Sequence, residues 1–208
     1  KWVGDDNPLL INDPRYAPAG VLAPKGYSDL AFTMHMLSWL STEGTAAIVE
    51  FPGVLYRGRA EQKIRKYLID NNYVDTVIQL PPNLFFGVGI ATCIIVLKKS
   101  KRENKTLFID ASQLFVHEGN KNKLSPDNIA AIIAEYADRK EVKHFSALVD
   151  NKTIADNGYN LSVSSYVEAE DTRPQTDIKE LNARIARIVE HENKLRTEIN
   201  AIINELEA

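Results

Sequence analysis

The chain has 208 residues, of which 25 are basic and 28 acidic, so its formal net charge at pH 7 is −3. Hydrophobic residues make up 44% of the chain and charged residues 25%, which is typical of one globular domain, with or without an appendage. Cys93 is the only cysteine, which excludes a fold held by disulfides within the chain, and no apolar run is long enough to predict a transmembrane helix.

The amino-terminal residues carry no targeting pattern. They include neither an initial methionine nor the apolar stretch of a secretory signal, so we expect a portion of a longer, cytoplasmic protein without a membrane partner. Residues 1–27 contain four prolines and three glycines and predict a long irregular loop. A loop of this length is either functional or a disordered end.

Residues 28–112 alternate between helical and strand patterns. The predicted elements are a helix from Ser28 that ends before Gly44, a strand at 45–51, a helix at 60–70, and strands at 74–80, 92–97 and 106–110. This order predicts an α/β domain with a mostly parallel sheet. The link between the last two strands is too short for a helical crossover, so we expect those strands to form an antiparallel hairpin within a mixed sheet.

The remaining residues are more helical and more polar. Residues 113–175 predict a helical or irregular extension, with a helix from Pro126 to about Arg139. Residues 176–208 carry apolar side chains at alternating spacings of three and four over four heptads, interrupted only by Glu192. A stripe this narrow cannot bury itself alone, so it predicts a helix that docks on another domain or chain. The expected zones are therefore 1–112, 113–175 and 176–208.

Two loops follow predicted parallel strands, where open α/β sheets bind their ligands. In the first loop, 52–59, Arg57 and Arg59 are suited to phosphate contacts. In the second loop, 81–90, Phe85 and Phe86 offer rings on which an unpaired base can stack. The alternative is that a phenylalanine closes the end of the core, and we expect one ring in the core and the other in the site.

A basic run at 98–105 lies at the predicted hairpin tip. A solvated turn is the favoured interpretation, and phosphate contacts by Lys98 and Lys99 are the alternative. Net charge near zero argues against DNA binding by bulk electrostatics but leaves room for a local basic rim. The four histidines lack metal-ligand spacing, so we expect no metal site. The sequence also contains neither a phosphate loop nor a dinucleotide fingerprint.

Long segments of the chain resemble the modification (M) subunit of type I restriction-modification systems. These segments are residues 7–20, 22–25, 28–32, 56–65, 80–87 and 159–166. The resemblance implies an N6-adenine DNA methyltransferase that uses S-adenosylmethionine, and this chain would be the second half of its class I (Rossmann-like) sheet followed by C-terminal helices. It also implies double-stranded DNA, a specificity (S) subunit, a second M subunit and a restriction (R) subunit as partners.

The resemblance also implies roles for individual residues. Asp29 would border the cofactor pocket, and Phe32, Phe85 and Phe86 the pocket of the target base, with packing against another helix as the alternative for Phe32. Arg57 and Arg59 would contact the DNA backbone, and Lys98 and Lys99 of the basic run are further candidates for such contacts. The residues that would dock on the S subunit are Leu181, Ile185, Ile188, Leu195, Ile199 and Ile202.

The chain departs from the family at one important motif. Asn7-Pro8-Leu9-Leu10 has leucines where the catalytic Asn-Pro-Pro-Tyr/Phe motif needs its second proline and its aromatic residue. We therefore expect the catalytic and glycine-rich cofactor motifs upstream of Lys1, no catalytic residue within the chain, and neither activity nor tight cofactor binding by this segment alone. The alternative function is a non-enzymatic interaction module that works through the C-terminal coiled-coil helix.

Overall fold

A five-stranded mixed sheet organises residues 2–169 of this computed structural model, which describes residues 2–170 and 177–207. The strands are β1 (Thr45–Glu50), β2 (Val74–Gln79), β3 (Cys93–Lys98), β4 (Lys105–Asp110), β5 (Val116–Glu118), β6 (Lys121–Lys123) and β7 (Ser146–Asp150). The order in the sheet is β1-β3-β2-β4-β7, while β5 and β6 form a separate hairpin. The α/β character and the mixed sheet predicted from the sequence are confirmed.

The strand pairing differs from the prediction in two ways. Among the strands that the structure describes in this sheet, only β2 and β4 pair in parallel. The other three pairings are antiparallel, so the expected mostly parallel sheet is wrong. The expected β3–β4 hairpin is also wrong, because β2 lies between these strands. Residues 99–104 need to span only two inter-strand spacings, about 10 Å, to carry the chain past β2. With β3 between β1 and β2, its apolar side chains can be buried on both faces of the sheet.

The described residues form five α-helices, which follow the predicted pattern closely where a prediction was made. They are α1 (Asp29–Trp39), α2 (Arg59–Asp70), α3 (Pro126–Asp138), α4 (Asn151–Asp156) and α5 (Ile178–Glu207). Ser125 begins α3 with a capping box, in which its hydroxyl accepts from the Asn128 backbone N–H. Ser28 precedes α1 as expected, but it accepts hydrogen bonds from Ala31 and Phe32 through its carbonyl rather than its side chain.

The sequence patterns missed β7, which lies in the zone expected to be helical or irregular. This strand pairs antiparallel with β4 and forms the edge of the sheet opposite to β1. Its residues are only half-buried for the most part, so it lacks the strong apolar pattern that identified the central strands. The interior strand β4 shows that both faces of the sheet are covered, because Phe108 packs with the α1 and α2 side, whereas Leu107 and Ile109 pack with α3.

The amino-terminal segment packs on the core rather than extending away from it. It forms three short 3₁₀ helices, Gly4–Asp6, Pro8–Asn12 and Ala17–Ala19. The Trp2 ring meets Tyr16 edge-on at 5.2 Å and donates a hydrogen bond of 3.1 Å to the Ala23 carbonyl.

Helix α5 belongs to a second unit that begins at Glu170. Its predicted docking residues are exposed along the helix: Leu181, Ile185, Ile188, Leu195, Ile199 and Ile202. The predicted limits of this zone, Thr176 and Ala208, lie outside the described residues. No helix in the described part of the chain is both long enough and apolar enough to cross a membrane.

We expect Phe108→Ala to lower the unfolding free energy by about 3–5 kcal/mol, because it opens a cavity where the fully buried ring meets Tyr166. The same change at Phe86, whose side chain is 90% exposed, should cost less than about 0.5 kcal/mol. Urea denaturation monitored by circular dichroism compares the two variants. Equal losses would contradict this account of the core.

Candidate functional site

Three loops emerge at the end of the sheet where β1, β2 and β4 finish. We call this end of the sheet, as distinct from its outer strands, the carboxyl edge. Because β1, β2 and β4 point in the same direction, the segments that follow them emerge on this side: residues 51–58, 80–92 and 111–123. The first two loops flank the start of β3, where Cys93 pairs with Glu50 on one side and Gln79 on the other. The structure thus places both predicted loops at the same edge, separated by the width of one strand.

Acidic side chains cluster where β1 ends. The Thr33 hydroxyl on α1 donates a hydrogen bond of 2.9 Å to Glu50 Oε1, and both side chains are buried. Burial raises the pKa of Glu50 to about 7, and the charges of Asp29 and Glu61 act in the same direction, while the hydrogen bond from Thr33 opposes them. Burial also raises the pKa of Glu61. Asp29, predicted to border the cofactor, therefore lies beside a carboxyl that is protonated for part of the time at neutral pH.

Arg57 is held by contacts within the chain. Its guanidinium lies 4.2 Å from the centre of the Tyr27 ring and 3.3 Å from Glu61 Oε1. It also lies directly over Gly53, where a Cβ would overlap it. Arg57 therefore fixes the loop to α2 and the amino-terminal segment, while Arg59, at the start of α2, is exposed and open to a phosphate.

A buried arginine, Arg65, also supports this loop. Arg65 donates hydrogen bonds to the carbonyls of Val54, at 2.9 Å, and Tyr159, at 2.8 Å. The Leu161 N–H donates to the Leu55 carbonyl at 2.8 Å. Two of the segments that carry the family resemblance, 56–65 and 159–166, thus meet beneath the loop.

The loop after β2 presents both of its aromatic rings to solvent. Phe85 is 43% exposed and Phe86 90% exposed, so the expectation that one ring would enter the core is wrong. Leu84 takes that place and packs against the apolar cluster beneath α3. Phe32, at 61% exposure, is not buried by packing against another helix either. The structure therefore leaves three phenyl rings available for contacts.

The lysines predicted to contact DNA lie at the other edge of the sheet, because β3 runs away from the carboxyl edge. Lys98 forms an ion pair of 3.3 Å with Asp75, and its ammonium lies 4.9 Å from the centre of the Tyr136 ring. Lys99 donates to the Leu40 carbonyl. The structure does not bring Lys98 and Lys99 together with Arg57 and Arg59.

Sequence reasoning missed the third element at the carboxyl edge, the β5–β6 hairpin. Asn122 Nδ2 donates to the Pro82 carbonyl at 2.9 Å, and the Asn122 backbone N–H donates to the Asn83 carbonyl at 3.1 Å. The ammonium of Lys121 lies 4.2 Å from the centre of the Phe86 ring. The polar Gly119-Asn120 turn was the one local signal for this hairpin.

Several of the candidate side chains lie at the surface, since Phe32, Arg59, Phe85 and Phe86 are all exposed. A cavity of about 330 Å³ lies instead between α3 and the sheet, and one of about 340 Å³ lies at the opposite edge around Asp75 and Lys101. Within residues 2–170 and 177–207, no group of three or more histidine, cysteine, aspartate or glutamate side chains is placed to hold a metal ion. The residues at this edge can thus form one side of a ligand site.

Comparison with known proteins gives consistent matches. The family model described as N-6 DNA Methylase matches residues 1–175. The MpnII methylase subunit of a type I restriction enzyme from Mycoplasma pneumoniae is 47% identical over 206 residues, which is 99% of this chain and 38% of the relative. The MjaVIII methylase subunit from Methanocaldococcus jannaschii is 37% identical over 200 residues, covering 93% of this chain and 33% of the relative.

A solved structure is also similar. The methyltransferase subunit of a type I restriction-modification system from Streptococcus thermophilus superposes with a TM-score of 0.77 at 40% identity, over 78% of this chain and 35% of that subunit. The chain therefore spans less than two fifths of the length of these relatives.

We expect the buried carboxyl of Glu50 to make stability depend on pH. Its pKa is about 7 in the folded protein against an ordinary 4.5, so the folded state binds the proton more tightly and the unfolding free energy falls as pH rises from about 4.5 to 7. Glu50→Gln mimics the neutral carboxyl and should be more stable than the unmodified chain at pH 8, by about 1–3 kcal/mol, with little difference at pH 4.5.

Urea denaturation at both pH values measures this effect, and Glu118→Gln, in the exposed hairpin, is the matched control. A Glu50→Gln variant that is no more stable than the unmodified chain at pH 8 would contradict the assignment.

Proposed function

Because the chain belongs to the N-6 DNA methylase family, and within it to the modification subunits of type I restriction-modification systems, we propose that it forms part of a subunit that methylates adenine N6 in DNA. In this proposal the methyl donor is S-adenosylmethionine, and the DNA sequence is read by a specificity subunit. A second modification subunit and a restriction subunit complete the assembly.

The observation that carries the proposal is the exposure of Phe85 and Phe86 on a loop at the carboxyl edge. Two neighbouring apolar rings exposed to water carry an unfavourable solvation free energy, which contact with a partner would remove. A base taken out of the DNA stack is a suitable partner for such rings. Arg59 is exposed just after the first loop, and Phe32 is exposed on α1 next to Thr33, which contacts Glu50 at the end of β1. Aromatic and cationic groups together suit an unstacked nucleotide.

The free edge of β1 supports the view that this sheet continues in the full subunit. Among the described residues, β1 pairs only with β3 and stands first in the sheet order, and Val49 within the strand and Phe51 just after it are each more than two fifths exposed. An open strand edge with apolar side chains is a surface that proteins normally cover. We propose that the strands carrying the catalytic and glycine-rich cofactor motifs extend the sheet from β1, as in a class I methyltransferase.

In this proposal, residues at the carboxyl edge form one side of a cofactor and base site. S-adenosylmethionine would supply an electrophilic methyl group. Asp29 at the start of α1 would border the cofactor, with Glu50 and Thr33 holding the end of β1 next to it. Phe32 and Phe85 would hold the adenine from this side. The chemical steps at the amino group would fall to residues outside this chain.

Helix α5 supports the second part of the proposal, docking on the specificity subunit. Its apolar stripe is exposed along four heptads, which favours a helical partner. If a methylation assay of the full subunit with its specificity subunit detected no methyl transfer to adenine, the alternative of a non-enzymatic interaction module working through α5 would be favoured instead.

We expect Phe85→Ala in the full subunit to lower methylation about ten- to a hundredfold, because the loss of a stacking ring weakens the hold on the base. Radioactive methyl transfer to DNA measures this, and co-purification with the specificity subunit should be unchanged. Trp39→Ala is the matched control. Trp39 is also an exposed aromatic residue, but it is the last residue of α1, at the end of that helix away from the Thr33–Glu50 contact. Equal effects of both changes would count against a role for Phe85.

The double change Leu195→Asp with Ile199→Asp should abolish co-purification with the specificity subunit, because it places two charges in the apolar stripe. Asn193→Asp with Thr197→Asp adds the same charge on the other side of α5 and should leave binding intact. Retention of the partner by the first variant would exclude docking through this stripe.

A further inference from the structure

The β5–β6 hairpin is attached to the aromatic loop by polar contacts. Apart from the half-buried Lys121 and the buried Asn122, its residues are exposed. The two hydrogen bonds from Asn122 to the carbonyls of Pro82 and Asn83 join the hairpin to the loop that carries Phe86. Because a two-stranded hairpin is only marginally stable alone, its position is set by this loop.

The charges of the hairpin distinguish one lysine from the other. Lys123 forms an ion pair of 3.0 Å with Glu118, which compensates its charge. Lys121 has no carboxylate oxygen within 4 Å among the described residues, and its ammonium lies 4.2 Å from the centre of the Phe86 ring. Phe86 remains 90% exposed, so its ring is also accessible to another molecule. The structure therefore presents an uncompensated cation and an open aromatic ring side by side.

From this pair, and resting on the function proposed above, we propose that Lys121 binds a phosphate of the DNA backbone next to a nucleotide whose base stacks on Phe86. Aromatic rings beside cations are how proteins hold single unstacked nucleotides, since each nucleotide brings a base and a phosphate together. A cation above an exposed ring is weakly held, so the ammonium can turn to a phosphate without losing a strong interaction. Asn122 then acts as a positioning residue that keeps the lysine over the loop.

The test measures DNA binding by the full subunit, assembled with its specificity subunit, over a range of salt concentrations. Each phosphate contact contributes about one to the magnitude of the slope of the logarithm of the binding constant against the logarithm of the salt concentration. Lys121→Gln should reduce the magnitude of that slope by about one, and Lys121→Arg should restore it. Phe86→Leu should weaken binding with the slope unchanged, because stacking releases no counterions.

Lys152→Gln is the matched control. Lys152 is an exposed lysine on α4, which follows β7 at the end of the sheet away from the loops. The Lys152→Gln change should therefore leave the salt slope unchanged. An unchanged salt slope for Lys121→Gln would overturn the proposal. If that variant also had lower thermal stability, Lys121 would be shown to support Phe86 rather than to bind a phosphate. Methylation by the unmodified complex is assayed in parallel, so that failure of the proposed function is separated from failure of the lysine contact.

Discussion

The placement of β3 between β1 and β2 is the constraint on which the candidate site depends. Backbone hydrogen bonds on both sides of β3 fix β1 and β2 in the same direction, so the loops that follow them must emerge at one edge. The start of β3 sets their separation, because Cys93 pairs with the last residue of each neighbouring strand. A direct β1–β2 pairing would bring these loops one strand closer, and a β3–β4 hairpin would leave only one side of β3 to pair with β1 or β2.

The loop after β1 is fixed by side chains that would be costly to bury without partners. Arg65 satisfies its buried guanidinium with two carbonyls, one in this loop and one at Tyr159, so it joins segments that are far apart in the sequence. Arg57 is held between Tyr27 and Glu61 above a glycine. In these contacts, charged side chains hold the loop after β1 in one position. They explain why segments that carry the family resemblance include residues with no direct part in binding a nucleotide.

The helices and central strands could be predicted because their information is local. A capping serine, a 3.6-residue period and short apolar runs identified α1, α2, α3 and β1 to β4 to within a few residues. Strand order could not be predicted in the same way, since whether β4 pairs with β3 or β2 depends on contacts distant in sequence. The loops of the candidate site were identified from strand ends, but the contact between Lys121 and Phe86 needs the tertiary position of a polar hairpin, and its sequence does not specify that position.

The burial of Cys93 follows from the same strand order. Its thiol is fully buried in the apolar core on one face of the sheet and donates to the Glu50 carbonyl, and burial raises its pKa to about 12. As the chain has no other cysteine, a thiol-alkylating reagent reacts only when the residues that cover this face of the sheet move away from the thiol. The rate of that reaction therefore measures how often this side of the core opens, next to the strand that holds the two loops in place.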